Sequence, residues 1–320
     1  MSFKQIVNDI PQIGVEWHGK TLLENTNRNF VYDINTLNQQ LTQSIKDITP
    51  NENKCLIISA GPSLYRQKSL EKIGEFEGTI ISTDGAYIQC LRHEIVPDYV
   101  ITIDPHPTRI VRWFGDPNLD DSDDYFQRQD LDVSFRENAE KTNAENIKLV
   151  DSFKVPLIIA SSAPKTLCER TSEQDRYWFV PLVDNPQEEG LTRKMVEMTH
   201  LPAMNTGGTV GNCAWVFAHS ILKSKDIAII GCDMGYYEDL PLKQTQSWGM
   251  LKDKENPRQY YPHEVGGFGL FYTDPTYFWY RQNLRDLLKA NNGRIANCTE
   301  GGLLYGSRID CMKLEKWLQR

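Results

Sequence analysis

The sequence predicts an α/β protein built on a doubly wound, mostly parallel sheet, and three observations predict it. Seven short apolar runs are nearly continuous rather than alternating, as expected of strands covered on both faces. Helix-like patterns separate them, and that alternation is the signature of a doubly wound sheet. Polar and glycine-rich clusters follow several of the runs, where the carboxyl ends of parallel strands would lie.

Taken in order, the expected strands are Cys55–Ala60, Thr79–Thr83, Tyr99–Ile103, Pro156–Ala160, Trp178–Val183, Asp226–Ile230 and Arg294–Asn297. The expected helices between them are Leu64–Phe76, Ala86–His93, Gly190–His200, Thr209–Leu222 and Thr276–Asn291. Residues 1–52 are polar and weakly periodic before the break "TPNENK", and read as a helical N-terminal extension packed on the core. Residues 53–320 then carry the strand–helix alternation as one α/β domain. Two segments depart from the alternation. Residues 116–146, with "DPNLDDSDDYF", read as an acidic surface insertion whose charge run is a solvated face. Residues 236–275 are rich in glycine and tyrosine and too long for a passive loop, which suits an ordered lid.

Composition excludes several function classes. Of 320 residues, 35 are Lys or Arg and 43 Asp or Glu, a formal charge of -8 that disfavours nucleic acid and anionic lipid as partners. Apolar runs such as "VPLIIASSA" stop well short of the ~20 residues of a membrane span, and no secretory signal is visible at the start. The seven cysteines (Cys55, Cys90, Cys168, Cys213, Cys232, Cys298 and Cys311) have no CxxC and no disulfide rhythm. They read as reduced core thiols of a cytoplasmic protein. Zinc is not expected, because no Cys/His pair has ligand spacing.

The candidate site is assembled from the strand ends. Gly61, Pro62 and Ser63 end the first strand. Gly61 lets a backbone approach closely, Pro62 fixes the turn, and the Ser63 hydroxyl either caps the following helix or contacts a ligand phosphate. Asp84-Gly85 ends the second strand and Asp104-Pro105 the third. Each carboxylate there can accept from ribose hydroxyls or base amino groups, hold a divalent metal, or simply cap its turn. Gly207, Gly208 and Thr209 open a helix whose first turns carry the small residues Gly211 and Asn212, and Asn212 adds an amide able to read a base or sugar. Asp233 and Glu300 close two further strands, and Glu300 is a candidate general base or sugar-hydroxyl acceptor.

In this order, "ISAGPSL", "STDGAYIQCL…IVPDYVITIDP", "GGTVGNCAWVFA", "IAIIGCDMGYY" and "NCTEGGLLYG" resemble the motility-accessory-factor (Maf) glycosyltransferases. Those share a domain with the archaeal 6-hydroxymethylpterin diphosphokinase MptE, and the resemblance covers roughly residues 53–310. It implies a Rossmann-like, sialyltransferase-like fold, a CMP-activated nonulosonic acid as donor and a protein or glycan hydroxyl, such as that of a flagellin Ser or Thr, as acceptor. Carried onto this chain, Gly61, Pro62 and Ser63 would cradle phosphate. Asp84, Gly85, Asp104, Gly207, Gly208, Thr209 and Asn212 would line the nucleotide and sugar pocket, with Asp233 and Glu300 toward the acceptor. His263, in the lid-like segment, is the candidate base, because an ordinary histidine titrates near working pH; Asp233 and Glu300 are its rivals. Such a transfer requires no cofactor.

Two alternatives stand beside it. One is a diphosphokinase moving pyrophosphate from ATP to a pterin-type alcohol, with Mg2+ on Asp104. Asp104 is followed by Pro105 and His106 rather than by a second acidic residue, which favours sugar transfer. The other is a non-catalytic nucleotide-sugar binding protein, and a homo-oligomer is compatible with either.

Overall fold

The computed structural model describes residues 2–32, 43–107, 109–119, 139–245, 255–256, 261, 263–266 and 269–320. Its strands are β1 (Cys55–Ile58), β2 (Thr79–Thr83), β3 (Tyr99–Thr102), β4 (Leu157–Ala160), β5 (Arg176–Leu182), β6 (Ala203–Asn205), β7 (Ile227–Ile230), β8 (Tyr236–Tyr237), β9 (His263–Gly266), β10 (Gly269–Tyr272), β11 (Ile295–Asn297) and β12 (Ile309–Cys311). Nine of them form a central sheet in the order β12-β11-β7-β1-β2-β3-β4-β5-β6. All neighbours in it pair in parallel. Strand order runs outward from β1 through β6 on one side. It then returns to β7 on the other side of β1, so the topological switch lies between β1 and β7.

Alternate residues of one strand serve two cores, which is why the strands read as continuous apolar runs. Cys55 and Ile57 join one cluster, with Ile81, Ile101, Ile158 and Phe179, while Leu56 and Ile58 join another with Leu64, Ile80 and Ile230. Val100, Leu157 and Ile159 belong to a third cluster.

The helices are α1 (Phe3–Asn27), α2 (Ser63–Arg66), α3 (Asp84–Arg92), α4 (Ala139–Phe153), α5 (Lys165–Arg170), α6 (Leu191–Thr199), α7 (Val210–Val216), α8 (Pro275–Ala290) and α9 (Leu314–Leu318). Two expectations are corrected. The helix expected over Leu64–Phe76 is only the single turn of α2 plus a 3-10 turn at Leu70–Lys72. Lys68 takes φ 50° between them, a left-handed residue that breaks the helix. The helix expected over Thr209–Leu222 is α-helical to Val216 and passes into a π-turn over Phe217–Ile221. Strands β6 and β12 of the central sheet lie outside the expected set, because each buries only one of its three residues and so shows no apolar run.

Residues 236–272 contribute a separate antiparallel sheet in the order β8-β10-β9. Residues 246–254, 257–260, 262 and 267–268 of the lid-like segment, and residues 120–138 of the acidic insertion, lie outside the described residues.

The N-terminal helix α1 packs along α6 and α8. Gly19 lets it approach Leu191, whose Cδ1 would stand 3.0 Å from an added Cβ. Phe3 meets Phe278 of α8 edge-on at 5.4 Å. Its last turn reaches the loops beyond β3 and β4, where Asn25 Nδ2 donates to the carbonyls of Pro105 (3.2 Å) and Ser162 (3.0 Å). No described helix is long and apolar enough to cross a membrane.

Candidate active site at the switch between β1 and β7

The loops after β1 and β7 interlock. The Gly61 amide donates to the Gly231 carbonyl at 2.8 Å. A Cβ on Gly61 would stand 2.5 Å from that carbonyl and closer still to Asp233 Oδ2. Gly61 is therefore required by space, not by its φ. Ser63 is fully buried, and its amide (3.2 Å) and hydroxyl (2.8 Å) both donate to Asp233 Oδ2. Pro62 occupies the N-cap position of α2 without a side-chain cap. The turn that the sequence reserves for a phosphate is thus filled from within the chain by the Asp233 carboxylate.

Asp233 is 4 % exposed, and its second oxygen, Oδ1, has no hydrogen-bond partner. Burial raises its pKa to about 6, while the Ser63 hydroxyl and amide and the Arg66 guanidinium pull in the opposite direction.

Asp84, first residue of α3, is buried with Oδ2 unpartnered, and Oδ1 accepts from the Gly85 amide at 2.7 Å. Burial raises its pKa to about 7; Thr102 and the Gly85 amide lower it, and the neighbouring Asp104 adds to the rise. Gly85 faces Ala60 across the β1–β2 tips, 3.1 Å from an added Cβ to the Ala60 Cβ. Asp104 closes an Asx turn, its Oδ1 accepting from the His106 amide at 2.8 Å. The two acids thus follow adjacent strands.

The first turn of α7 lies over the tip of β1: a Cβ on Gly211 would stand 3.1 Å from Ser59 Oγ. Thr209 has N-cap backbone geometry but makes no side-chain cap bond. Gly207 (φ 56°) and Gly208 (φ 84°) take the left-handed turn before it, and the Trp279 ring closes on Gly208. Asn212 is fully buried; its Nδ2 donates to the carbonyls of Gly207 (2.8 Å) and Tyr280 (2.9 Å), tying this loop to α8. Asn212 Oδ1 has no partner.

Glu300 is at the end of β11, but its carboxylate is engaged. Oε1 meets Lys72 Nζ at 3.2 Å and accepts from the Leu314 amide at 3.4 Å. That pairing anchors the loop and leaves Glu300 poorly placed as a base. Of His263, the backbone pairs with Tyr272 in β9 and β10; its side chain lies outside the described residues.

The structure thus gathers Ser63, Asp233, Asp84, Asp104, Asn212 and Thr209 at the carboxyl ends of β1, β2, β3 and β7, and holds Glu300 aside. It also adds residues that the sequence does not single out. Ser59 Oγ, at the tip of β1, is buried without a hydrogen-bond partner, and the Thr102 hydroxyl, at the tip of β3, lies beside the Asp84 carboxylate. Buried polar atoms are normally bonded, and Ser59, Asn212 and Asp233 each bring an unpartnered oxygen to this end of the sheet. Tyr277 and Tyr280 of α8 have their hydroxyl pKa values raised by burial and then by Asp274, with smaller contributions from Asp233 for Tyr277 and from Asp104 for Tyr280. Their three-residue spacing in "TYFWYR" is the available signal, since it puts both on one helix face.

Asp84 makes a testable statement about stability. Its folded pKa is raised above the ordinary value of 3.8 to about 7, so the folded state holds a proton that the unfolded state has lost. Stability from this group is fully present below pH ~4 and falls as pH rises toward 7. Asp84→Asn keeps the Gly85 contact and removes the buried charge. It is expected to raise Tm at pH 8 by several degrees, the gain shrinking as pH falls toward 4, in thermal melts across that range.

Fold and polar centre together define a doubly wound α/β protein whose candidate site sits at the switch point, the usual ligand crevice of such sheets. The family model described as 6-hydroxymethylpterin diphosphokinase MptE-like matches residues 20–115. The match runs from the last turns of α1 past β3. It contains Gly61, Ser63, Asp84 and Asp104, but not Asn212, Asp233 or Glu300. No curated protein matches the chain. Among solved structures, the MAf glycosyltransferase from Magnetospirillum magneticum AMB-1 is similar at 13% identity with a TM-score of 0.48. The alignment covers 84% of this chain and 35% of that one, so the chain spans about a third of that protein's length.

Proposed function

We propose that the chain is a transferase that moves a group from a nucleotide-activated donor to an acceptor hydroxyl. The donor in this reading is a CMP-activated nonulosonic acid, and the acceptor a protein or glycan alcohol. One observation carries it: Asp233 is held rigid through Oδ2 by Ser63, presents an unpartnered Oδ1, and has its pKa raised to about 6. A carboxylate tuned in this way is an effective general base near neutral pH. The acceptor hydroxyl gives its proton to Oδ1 as its oxygen bonds to the anomeric carbon. The bond from that carbon to the phosphate oxygen breaks, its electron pair leaves with CMP, and Asp233 returns the proton to water. The tips of β2 and β3, roofed by Tyr280, form the donor side, where Asp84 and Asp104 accept from sugar or ribose hydroxyls.

A second reading is favoured by the family description of residues 20–115 and by the two acids on adjacent strand tips. In it, pyrophosphate passes from ATP to a pterin-type alcohol. Asp84 Oδ2, unpartnered, and Asp104 suit a divalent cation, and would hold a Mg2+ that offsets phosphate charge when bound.

A thermal-shift panel of CMP, CDP, UDP, GDP and ATP, each with and without Mg2+, separates the two. Binding to the folded state raises Tm by mass action. A Mg2+-independent shift with CMP or CDP is the expected result. A shift confined to ATP with Mg2+ moves the assignment to the second reading, and no shift with any nucleotide overturns both.

A further inference from the structure

The end of α1 is built differently from the rest of the helix. Upstream, Phe3 and Gly19 pack it on α8 and α6, whereas the residues around Asn27 make polar contacts with the loops that follow β3 and β4. Three of them anchor the helix on the β4 loop. Thr26 Oγ1 and Ser161 Oγ share a hydrogen bond of 3.2 Å, and Arg28 Nη2 donates to the Ala163 carbonyl at 2.8 Å. Asn29 Nδ2 donates to the carbonyls of Ser161 and Ala163, each at 2.9 Å. Asn25, which is buried, does more. Its Nδ2 donates to the Ser162 carbonyl of that loop and also crosses to the Pro105 carbonyl, inside the Asp104 turn. Its Oδ1 accepts from Arg28 Nη1 at 2.7 Å, so both N–H groups and the oxygen of the amide are engaged. The turn needs such a hold. The last pair that joins β3 to β4 is Thr102 with Ile159, so strand pairing stops before Asp104. Pro105 has no N–H, and the His106 amide donates to Asp104 Oδ1. Downstream, the Thr166 hydroxyl of α5 holds the Pro107 carbonyl. Asn25 is the tether next to Asp104 itself.

We propose that Asn25 is a positioning residue of the candidate site, which ties the Asp104 turn to the β4 loop and so holds Asp104 beside Asp84 for the donor. The inference rests on the donor-side role that both readings above give to Asp104. Asparagine suits the task because one planar amide carries two N–H groups that can serve carbonyls on two different loops. Aspartate has no proton to give there, and glutamine is one methylene too long to keep both bonds. Asp104 stands close enough to Asp84 to raise its pKa, so a displaced turn alters the field at both carboxylates. The end of α1 is then part of the site, although 80 residues separate Asn25 from Pro105 in the chain.

Amide hydrogen exchange on the full chain, resolved to single residues, tests this without a ligand. The His106 amide is the reporter, because its bond to Asp104 Oδ1 exists only while the turn is closed. Asn25→Ala is expected to speed His106 exchange about tenfold, the value of one hydrogen bond. Thr26→Val is the control: it keeps the side chain's shape, breaks the bond to Ser161 at the same helix end and leaves the Asp104 turn untouched. His106 exchange in that variant should match the wild type. CMP, and ATP with Mg2+, are then titrated against all three proteins. The Kd of whichever nucleotide the wild type binds should rise about tenfold in Asn25→Ala and not in Thr26→Val. A residue that merely braced α1 would lower Tm in both variants and move neither reading. Equal His106 exchange in wild type and Asn25→Ala, or equal acceleration by Thr26→Val, overturns the proposal. Faster exchange in Asn25→Ala alone, with nucleotide affinity unchanged, supports the positioning role and removes Asp104 from the donor side. If Asn25→Ala fails to fold, Asn25→Asp, which keeps the acceptor for Arg28 and loses both donors, is read in its place.

Discussion

Asp233→Asn is expected to lower turnover by about 10²- to 10⁴-fold, the usual contribution of a general base, while the CMP thermal shift survives. Asparagine has the shape of aspartate, and its carbonyl oxygen can replace Oδ2 as acceptor for the Ser63 amide and hydroxyl. An NH2 group then stands where Oδ1 stood, and it cannot take a proton. The pH profile supplies a check that a structural role would not pass. Wild-type kcat/KM should rise as Asp233 ionises, through a pKa of about 6, and level off above it. The variant's residual rate should be flat across the same range. A wild-type profile indifferent to pH between 5 and 8, or full turnover in the variant, would move the base elsewhere. His263 would then be the next residue to replace, because Glu300 is committed to Lys72.

Gly61→Ala is expected to cost about 2–3 kcal/mol, in line with overpacking of a close-packed interior. The methyl group would be driven into Asp233 Oδ2 and would stand 2.5 Å from the Gly231 carbonyl. Neither can retreat easily. Asp233 is held by Ser63 and by the Leu303 amide, and Gly231 (φ 66°) is itself pressed against the Ser59 carbonyl. Urea melts should report the loss. For a chain of this size, a Tm drop of roughly 3–5 °C should accompany it. Gly14→Ala in α1 is the control, since nothing stands within 4 Å of its added Cβ. That variant should be neutral or slightly stabilised, because alanine is the better helix former. Equal stability of Gly61→Ala and wild type would mean that the two loops are looser than their contacts imply.

Much of the sheet is legible because each of its inner strands is apolar on both faces. Cys55, Leu56, Ile57 and Ile58 all have to be buried, and a run of that kind between helical patterns leaves few alternatives. The expected and observed bounds of β2 coincide at Thr79–Thr83. Strand-end chemistry is legible too, since Gly61, Asp84, Asp104 and Asp233 each follow an apolar run closely. The short strands β6 and β12 are not, because each buries only one of its three residues. Tyr277 and Tyr280 escape notice for a related reason: an aromatic residue is far more often core than site, and the three-residue spacing of Tyr277 and Tyr280 marks a shared helix face without saying what that face meets.

The sequence by itself determined which residues lie at the carboxyl ends of the strands, because burial on both faces fixes where each strand runs and polarity marks where it stops. Strand order, and with it what each end residue touches, was decided only by the tertiary structure. Bringing β7 back beside β1 sets the Asp233 carboxylate on the Ser63 amide and hydroxyl, although 170 residues separate them in the chain. The 3-10 turn at Leu70–Lys72, which replaces the expected helix, places Lys72 against Glu300. The physical reason is range. Hydrophobic periodicity is a local property of the chain, whereas hydrogen bonds, ion pairs and the burial that shifts a carboxyl's pKa depend on neighbours that only the packed sheet brings together.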